Sequence, residues 1–166
     1  VHEVKSGIFF ESNEFQLEAH QLEHGIETLG FRLVEKDNRK VDMKKVKKLG
    51  IPEGPLIGKL QQGNAVEYKG KKIMPDEATY IEKGKVVAYI TDTVICDNCY
   101  RIAENADLLI CEATYSSKLV DKSEEYGHMT AKQAGQLANK ANAKQLVLIH
   151  FSARYKNTQE LEEDAR

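Results

Sequence analysis

Missing from this sequence is any apolar stretch approaching the roughly 20 residues a spanning helix needs. The opening VHEVKSG also lacks the basic and apolar regions of a signal peptide. A membrane role is therefore disfavoured, and the expectation is a cytosolic protein. Cysteine is scarce as well. Three residues, an odd number without regular spacing, argue against a disulfide framework and for a reducing compartment. Neither charge sign dominates: 24 basic and 26 acidic residues leave a formal charge of −2, so the chain as a whole carries no electrostatic footprint for nucleic acid. Internal repeats and low-complexity tracts are absent too.

What is present is a soluble globular composition, 41% hydrophobic and 30% charged over 166 residues, enough for one ordinary domain. Any polyanion binding must be local, and one segment offers it. Between Glu35 and Lys59 stand eight basic residues, among them Lys44, Lys45, Lys47 and Lys48, against four acidic ones. A solvated helix face would read the same way. The chain begins at Val1 without methionine, which reads as a processed or excised piece.

Three textures follow one another. Gly7 to Phe10, Glu14 to Leu22 and Thr28 to Val34 alternate with period two and predict consecutive antiparallel strands. Lys36 to Lys83 is polar and rich in turn residues. It predicts a short amphipathic helix with Val41, Met43, Val46 and Leu49 on one side, breaks at Gly50-Ile51-Pro52-Glu53-Gly54-Pro55 that end any helix there, and very short strands beyond, as in an inserted arm. From Lys85 onward, apolar runs at Val86–Thr91, Leu108–Cys111 and Leu146–Ile149 alternate with helices predicted at Asp97–Asn105, Thr130–Ala141 and from Thr158. That alternation predicts an α/β layer arrangement.

Each of these three late runs ends in a polar cluster: Thr91-Asp92-Thr93, Glu112-Ala113-Thr114, and His150-Phe151-Ser152. Catalytic groups in layered α/β proteins collect at strand C-termini, where loops diverge. Asp92 and His150 are candidate ligands for Zn²⁺ or a similar ion, although singly each reads equally as a turn former and a half-buried histidine. His24, between an alternating strand and Gly25, is a third candidate or a surface turn. His128 precedes a helix that Thr130 would cap, a place suited to anion contact or proton donation. His2 and His20 have no motif around them and read as surface or structural. Cys96-Asp97-Asn98-Cys99 invites a zinc or redox reading, but no second cysteine pair accompanies it, and unbonded thiols are expected.

Together these residues resemble ribonuclease Z. His24-Gly25-Ile26-Glu27-Thr28-Leu29-Gly30-Phe31-Arg32-Leu33 is similar to that family's third metal-ligand motif and Thr91-Asp92-Thr93 to its aspartate motif. Glu112-Ala113-Thr114 is similar to its HEAT motif, His128-Met129-Thr130 to its HST motif, and Leu148 to Tyr155 to its last histidine motif, in matching order. Lys48 to Pro55 resembles the Gly-Pro core of the arm with which the family grips tRNA. The resemblance implies an α/β metallo-β-lactamase fold, a four-layer αββα sandwich of which this chain holds about one half, with residues 36–83 as an inserted exosite arm and the N-terminal half missing. It implies two Zn²⁺ per complete site, held in part by His24, Asp92 as bridge, and His150. Glu112 would orient His128 toward the leaving oxygen, and Lys44, Lys45, Lys47, Lys48, Gly54 and Pro55 would meet substrate. The implied activity is removal of the 3′ trailer from precursor tRNA by metal-hydroxide attack on a phosphodiester, in a homodimer. The HEAT histidine is replaced by Cys111, and the His-x-His-x-Asp-His motif is nowhere in the 166 residues. The piece alone is therefore expected to be inactive and to need the missing half as partner. A metallo-β-lactamase-type hydrolase of small esters or phosphodiesters, and a non-catalytic RNA-binding module, are the alternatives.

Overall fold

The computed structural model describes residues 3–166, so His2 lies outside the described residues. It divides into two compact units, one made of residues 3–35 and Lys85–Arg166, the other of Lys36–Gly84.

In chain order the first unit opens with β1 (Gly7–Glu11), β2 (Phe15–Glu23) and β3 (Glu27–Glu35). The second unit holds β4 (Asn38–Val41), α1 (Met43–Leu49), α2 (Pro55–Gln61), β5 (Val66–Tyr68), β6 (Lys71–Ile73), α3 (Pro75–Ala78) and β7 (Thr79–Glu82). The chain then returns to the first unit through β8 (Val86–Ile90), α4 (Asp97–Ala103), β9 (Leu108–Glu112), α5 (Val120–Glu125), α6 (Ala131–Lys140), β10 (Leu146–Ile149) and α7 (Gln159–Asp164). Among the described residues no helix is long and apolar enough to cross a membrane.

The first unit is built on one six-stranded sheet in the order β1-β2-β3-β8-β9-β10. β1, β2, β3 and β8 pair antiparallel, while β8, β9 and β10 run parallel. Alternation in the strands sends one set of side chains to each face. One set, Leu22, Ala88, Ile90, Leu109 and Cys111, packs under α4, α6 and α7 with Ile102, Leu137 and Leu161, all fully buried apart from a trace at Leu22. Helix α6 starts where it does because the Thr130 side chain accepts from the Gln133 amide and Gln133 answers on the Thr130 amide. Its Ala131, Ala134, Leu137 and Ala138 then fall on one face. Gly135 lets α7 lie against that helix: a Cβ there would come 2.0 Å from the Ala165 carbonyl oxygen.

The opposite face of the sheet is apolar and largely bare. Phe31, Tyr89, Ile110 and Val147 stand in register across four strands, and Phe31, Tyr89 and Val147 are 36%, 38% and 46% exposed. Phe9, also exposed, sets its ring edge-on to Phe31. Monomers rarely leave so continuous an apolar row in water.

The second unit has a small core of its own, with Val46, Ile51, Leu60, Val66, Ile73 and Ala78 buried. Asp42 caps α1 by accepting from the Lys44 and Lys45 amides, and Gly50 ends it in the left-handed conformation at φ 68°. Leu60 has no exposed surface, and truncating a leucine so placed costs about 2–5 kcal/mol, a large share of what so small a core can supply. Two differences from the sequence expectation fall here. The break expected over Gly50–Pro55 does end α1 at Gly50, but Pro55 also begins α2, which was not foreseen: proline's fixed φ suits the first helical position, where its missing N–H costs nothing. The region also contains α3 and a β4–β7 pair, too short for periodicity to reveal. In the first unit, the turn of helix at α5 was likewise not foreseen.

Candidate metal centre and active site

Direction of travel explains why distant residues meet. β8, β9 and β10 run parallel, so their C-terminal ends share one edge of the sheet. β2 points the same way, because β3 is antiparallel to both β2 and β8. The residues at or just past these four ends are His24, Asp92, Glu112 with Thr114, and His150. The loop before α6 adds His128, held by its amide on the Ser123 carbonyl and by the Ser123 hydroxyl on its own carbonyl.

Three imidazoles cluster here. The His128 ring lies 4.7 Å from that of His24 and 5.1 Å from that of His150. Their partners settle which nitrogen faces outward. His24 Nδ1 is 2.7 Å from the Gly127 carbonyl oxygen; a carbonyl only accepts, so Nδ1 carries the proton and Nε2 keeps its lone pair. His128 Nδ1 is 3.0 Å from Glu112 Oε1, and an ionised carboxylate imposes the same tautomer. His150 Nδ1 is 2.9 Å from the Thr114 hydroxyl, which lies 2.8 Å from Glu112 Oε2 and 3.0 Å from the His150 carbonyl. That hydroxyl has one proton and gives it to the charged acceptor, so it accepts from His150 Nδ1. Each ring thus turns Nε2 away from its backing partner, the arrangement that metal-ligating histidines use.

Asp92 lies between two of them. Its Oδ1 is 3.4 Å from His150 Nε2 and its Oδ2 is 3.9 Å from His24 Nε2. Two ligands bonded at about 2.1 Å to one tetrahedral ion lie roughly 3.4 Å apart. One oxygen of Asp92 for each histidine, near that spacing, fits a carboxylate shared by two ions. Partial burial opposes the charge on Asp92, but the Thr91 hydroxyl, the backbone and the nearby His150 and His128 outweigh it and hold its carboxyl below the usual range. It is therefore anionic and ready to ligate at neutral pH.

Glu112, His128 and His150 also bring donor atoms within 4.8 Å of one another. Glu112 is nevertheless occupied. Its oxygens accept from the Thr93 amide at 2.7 Å, the Thr114 amide at 3.3 Å and hydroxyl at 2.8 Å, and His128 at 3.0 Å, and it has no exposed surface. Four donors fill a carboxylate. Ligating a metal would strip those bonds from a buried charge, so the geometry favours an orienting role.

His150 itself has φ of +61°, uncommon outside glycine and a marker of functional placement. Gly127, at φ +73°, is required: a Cβ there would approach His24 Nδ1 to 2.9 Å.

The residues matched by a family model for the beta-lactamase superfamily domain are 78–151, which include Asp92, Glu112, His128 and His150. Over 98% of its length the chain is 42% identical to a ribonuclease Z of Protochlamydia amoebophila. The chain is similar to ribonuclease Z and shares the metallo-β-lactamase fold. It spans about half the length of the curated relatives it matches, 53% of the Protochlamydia protein. Among solved structures, human tRNase Z, short form, is 28% identical with a TM-score of 0.56, over 90% of this chain and 41% of that one. A metallo-beta-lactamase fold protein from Bacillus subtilis, at 18% identity and a TM-score of 0.57 over 94% of this chain and 44% of that one, shares the fold.

The five residues expected from the sequence to do chemistry, His24, Asp92, Glu112, His128 and His150, come together. Lys44, Lys45, Lys47, Lys48, Gly54 and Pro55 lie in the other unit, all exposed. His20 is a half-buried strand residue bonded to Glu18. Cys111 is fully buried in the core and its thiol is pushed up by burial and by the Glu112 charge, so this position packs and takes no part in the cluster. Sequence reading did not single out Thr93, Thr114 or Gly127, which hold Glu112, His150 and His24. A threonine two residues after a strand-end glutamate carries a weak signal; an amide or carbonyl carries none.

Proposed function

We propose that this chain supplies part of the active site and the RNA-gripping arm of a cytosolic, zinc-dependent endoribonuclease that removes the 3′ trailer from precursor tRNA. The observation that carries the proposal is Asp92 with one oxygen toward each of two Nε2-presenting histidines, beside a third histidine backed by a buried glutamate.

His24, Asp92 and His150 would hold two Zn²⁺ together with ligands outside these 166 residues, since three donors do not complete two sites. Bound there, the ions would supply Lewis acidity at the scissile phosphate. The protein groups do the rest. Gly127 and Thr114 fix the ring orientation of His24 and His150. His128 faces the leaving 3′ oxygen: its Nε2 lone pair first takes up a proton from water and then passes it to that oxygen, while Glu112 at Nδ1 balances the positive charge the ring carries in between, a division of labour worth about 10²–10⁴ in rate. The lysines of α1 meet backbone phosphates, which positions RNA without reading sequence. In a homodimer, the arm of one subunit would serve the site of the other.

The bare apolar row at Phe31, Tyr89 and Val147 supports a second sheet packing there in the complete protein. A small-substrate hydrolase would leave the basic arm idle, and a pure RNA binder would have no use for the Asp92–His128–His150 cluster. The test is complementation. The chain, mixed with the remaining segment of a ribonuclease Z relative and zinc, should cleave precursor tRNA at the 3′ trailer, while neither part does so alone. Zinc-saturated complex that hydrolyses small phosphodiesters but leaves precursor tRNA intact would overturn the reading.

A further inference from the structure

Cys96 and Cys99 stand at the start of α4, just beyond the Asp92 loop. Their sulfurs are 3.5 Å apart. Cys96 is the residue that precedes the first helical turn and is partly exposed; Cys99, one turn in, is fully buried. The Cys99 thiol also faces the Val94 carbonyl, farther off at 3.8 Å. The two sulfurs therefore differ in access but not in reach: one meets solvent, and the other waits behind it.

Their chemistry differs in the same sense. The hydrogen bond from Cys99 brings the Cys96 thiol down to about 6, against partial burial and the Glu23 charge, with help from the Cys99 and Asn98 amides. The same shared proton, together with burial, pushes the Cys99 thiol up. A thiolate with a protonated thiol directly behind it is the arrangement that thiol–disulfide exchange needs.

We propose that Cys96 and Cys99 form a redox-active dithiol that exchanges with low-molecular-weight disulfides, Cys96 attacking and Cys99 resolving. In the first step the Cys96 thiolate bonds to one sulfur of the small disulfide, breaking its S–S bond and expelling one thiolate. Cys99 then loses its proton and attacks the Cys96 sulfur, breaking the mixed disulfide and expelling the second thiolate. Two protein thiols are oxidised, one small disulfide is reduced to two thiols, and the two protons lost by the cysteines are taken up by the departing thiolates. The sulfurs must close from 3.5 Å to the ~2.05 Å of a disulfide.

The test uses oxidised glutathione and the 166-residue chain. Iodoacetamide should modify Cys96 with a half-maximal rate near pH 6, leaving Cys111 untouched in the folded protein. Oxidised glutathione should convert the wild type to an internal 96–99 disulfide on peptide mapping, reversed by reduced glutathione. C99S should stop at a glutathione adduct on Cys96, and C96S should stay unmodified. The proposal is overturned if Cys96 titrates like an ordinary thiol near 9.0, or if the wild type stops at the mixed disulfide or stays reduced. Should C99S not fold, the wild-type alkylation profile and disulfide map decide the matter.

Discussion

The two units of the molecule deploy polar residues in opposite ways. Around Asp92 nearly every polar group is committed: Glu112 takes four hydrogen bonds in full burial, and each histidine has its Nδ1 engaged. In Lys36–Gly84 the basic side chains of α1 stand in solvent, over a core of only a few apolar residues. The first pattern holds atoms within fractions of an ångström, as bond-making requires. The second leaves its charges exposed, even where Lys45 Nζ donates to the Asp76 carbonyl, which suits long-range attraction to a phosphate backbone. On the proposed reading this difference separates chemistry from grip, and substitutions can separate them further.

The largest effect is expected at Asp92. In the complemented enzyme, Asp92→Ala should abolish measurable cleavage and lower zinc occupancy while tRNA affinity, read by filter binding, stays within about twofold, the noise of surface changes. Next is His128→Ala, with an expected loss in kcat of about 10²–10⁴ and unchanged metal content by atomic absorption. A proportionate loss of zinc would make His128 a ligand instead. Thr114→Val keeps the shape but removes the hydroxyl between Glu112 and His150. Outer-shell changes of this kind cost about 10–100-fold in metal affinity, which a zinc competition titration would read. In the other unit, replacing Lys44, Lys45, Lys47 and Lys48 with alanine should leave zinc affinity untouched and weaken tRNA binding. The slope of log affinity against log salt should become shallower by about one for each lysine that meets a phosphate.

The smallest effect is one of stability. Asp107 accepts from the Lys144 ammonium, the Val86 amide and the Lys85 ammonium, and these hold its carboxyl well below the ordinary 3.8. A depressed folded-state value gives stability that is present above 3.8 and is lost as pH falls through the lower value. Asp107→Asn should therefore be less stable than wild type at neutral pH, with the gap in urea midpoints closing in strong acid. A gap that held constant with pH would mean that packing, not charge, ties β8 to its neighbours.

Much of the first unit was legible in the sequence because its signals are local. Leu146–Ile149 reads as a buried run and is β10 to the residue, although none of it is fully buried and Val147 is 46% exposed, and Thr130 announces α6 through its own capping geometry. The convergence of His24 with Asp92 was suggested only by the family resemblance, since it depends on β2 and β8 pointing the same way across β3. The backing partners were invisible. The Gly127 carbonyl that orients His24 is a main-chain atom 103 positions away in sequence, and no residue type advertises it. The second unit was read least well. Its strands are three or four residues long, below the length at which alternation can be told from chance. Pro55, read only as part of the break that ends α1, also stands at the first position of a helix.

The most direct test of this division of labour is a paired single-turnover experiment on precursor tRNA, with the complemented enzyme carrying either Asp92→Ala or the four-lysine substitution. The account predicts that the first binds RNA and does not cut, while the second cuts bound RNA at the wild-type rate but needs a higher enzyme concentration to bind it. Loss of binding in the first variant, or loss of the single-turnover rate at saturation in the second, would contradict it.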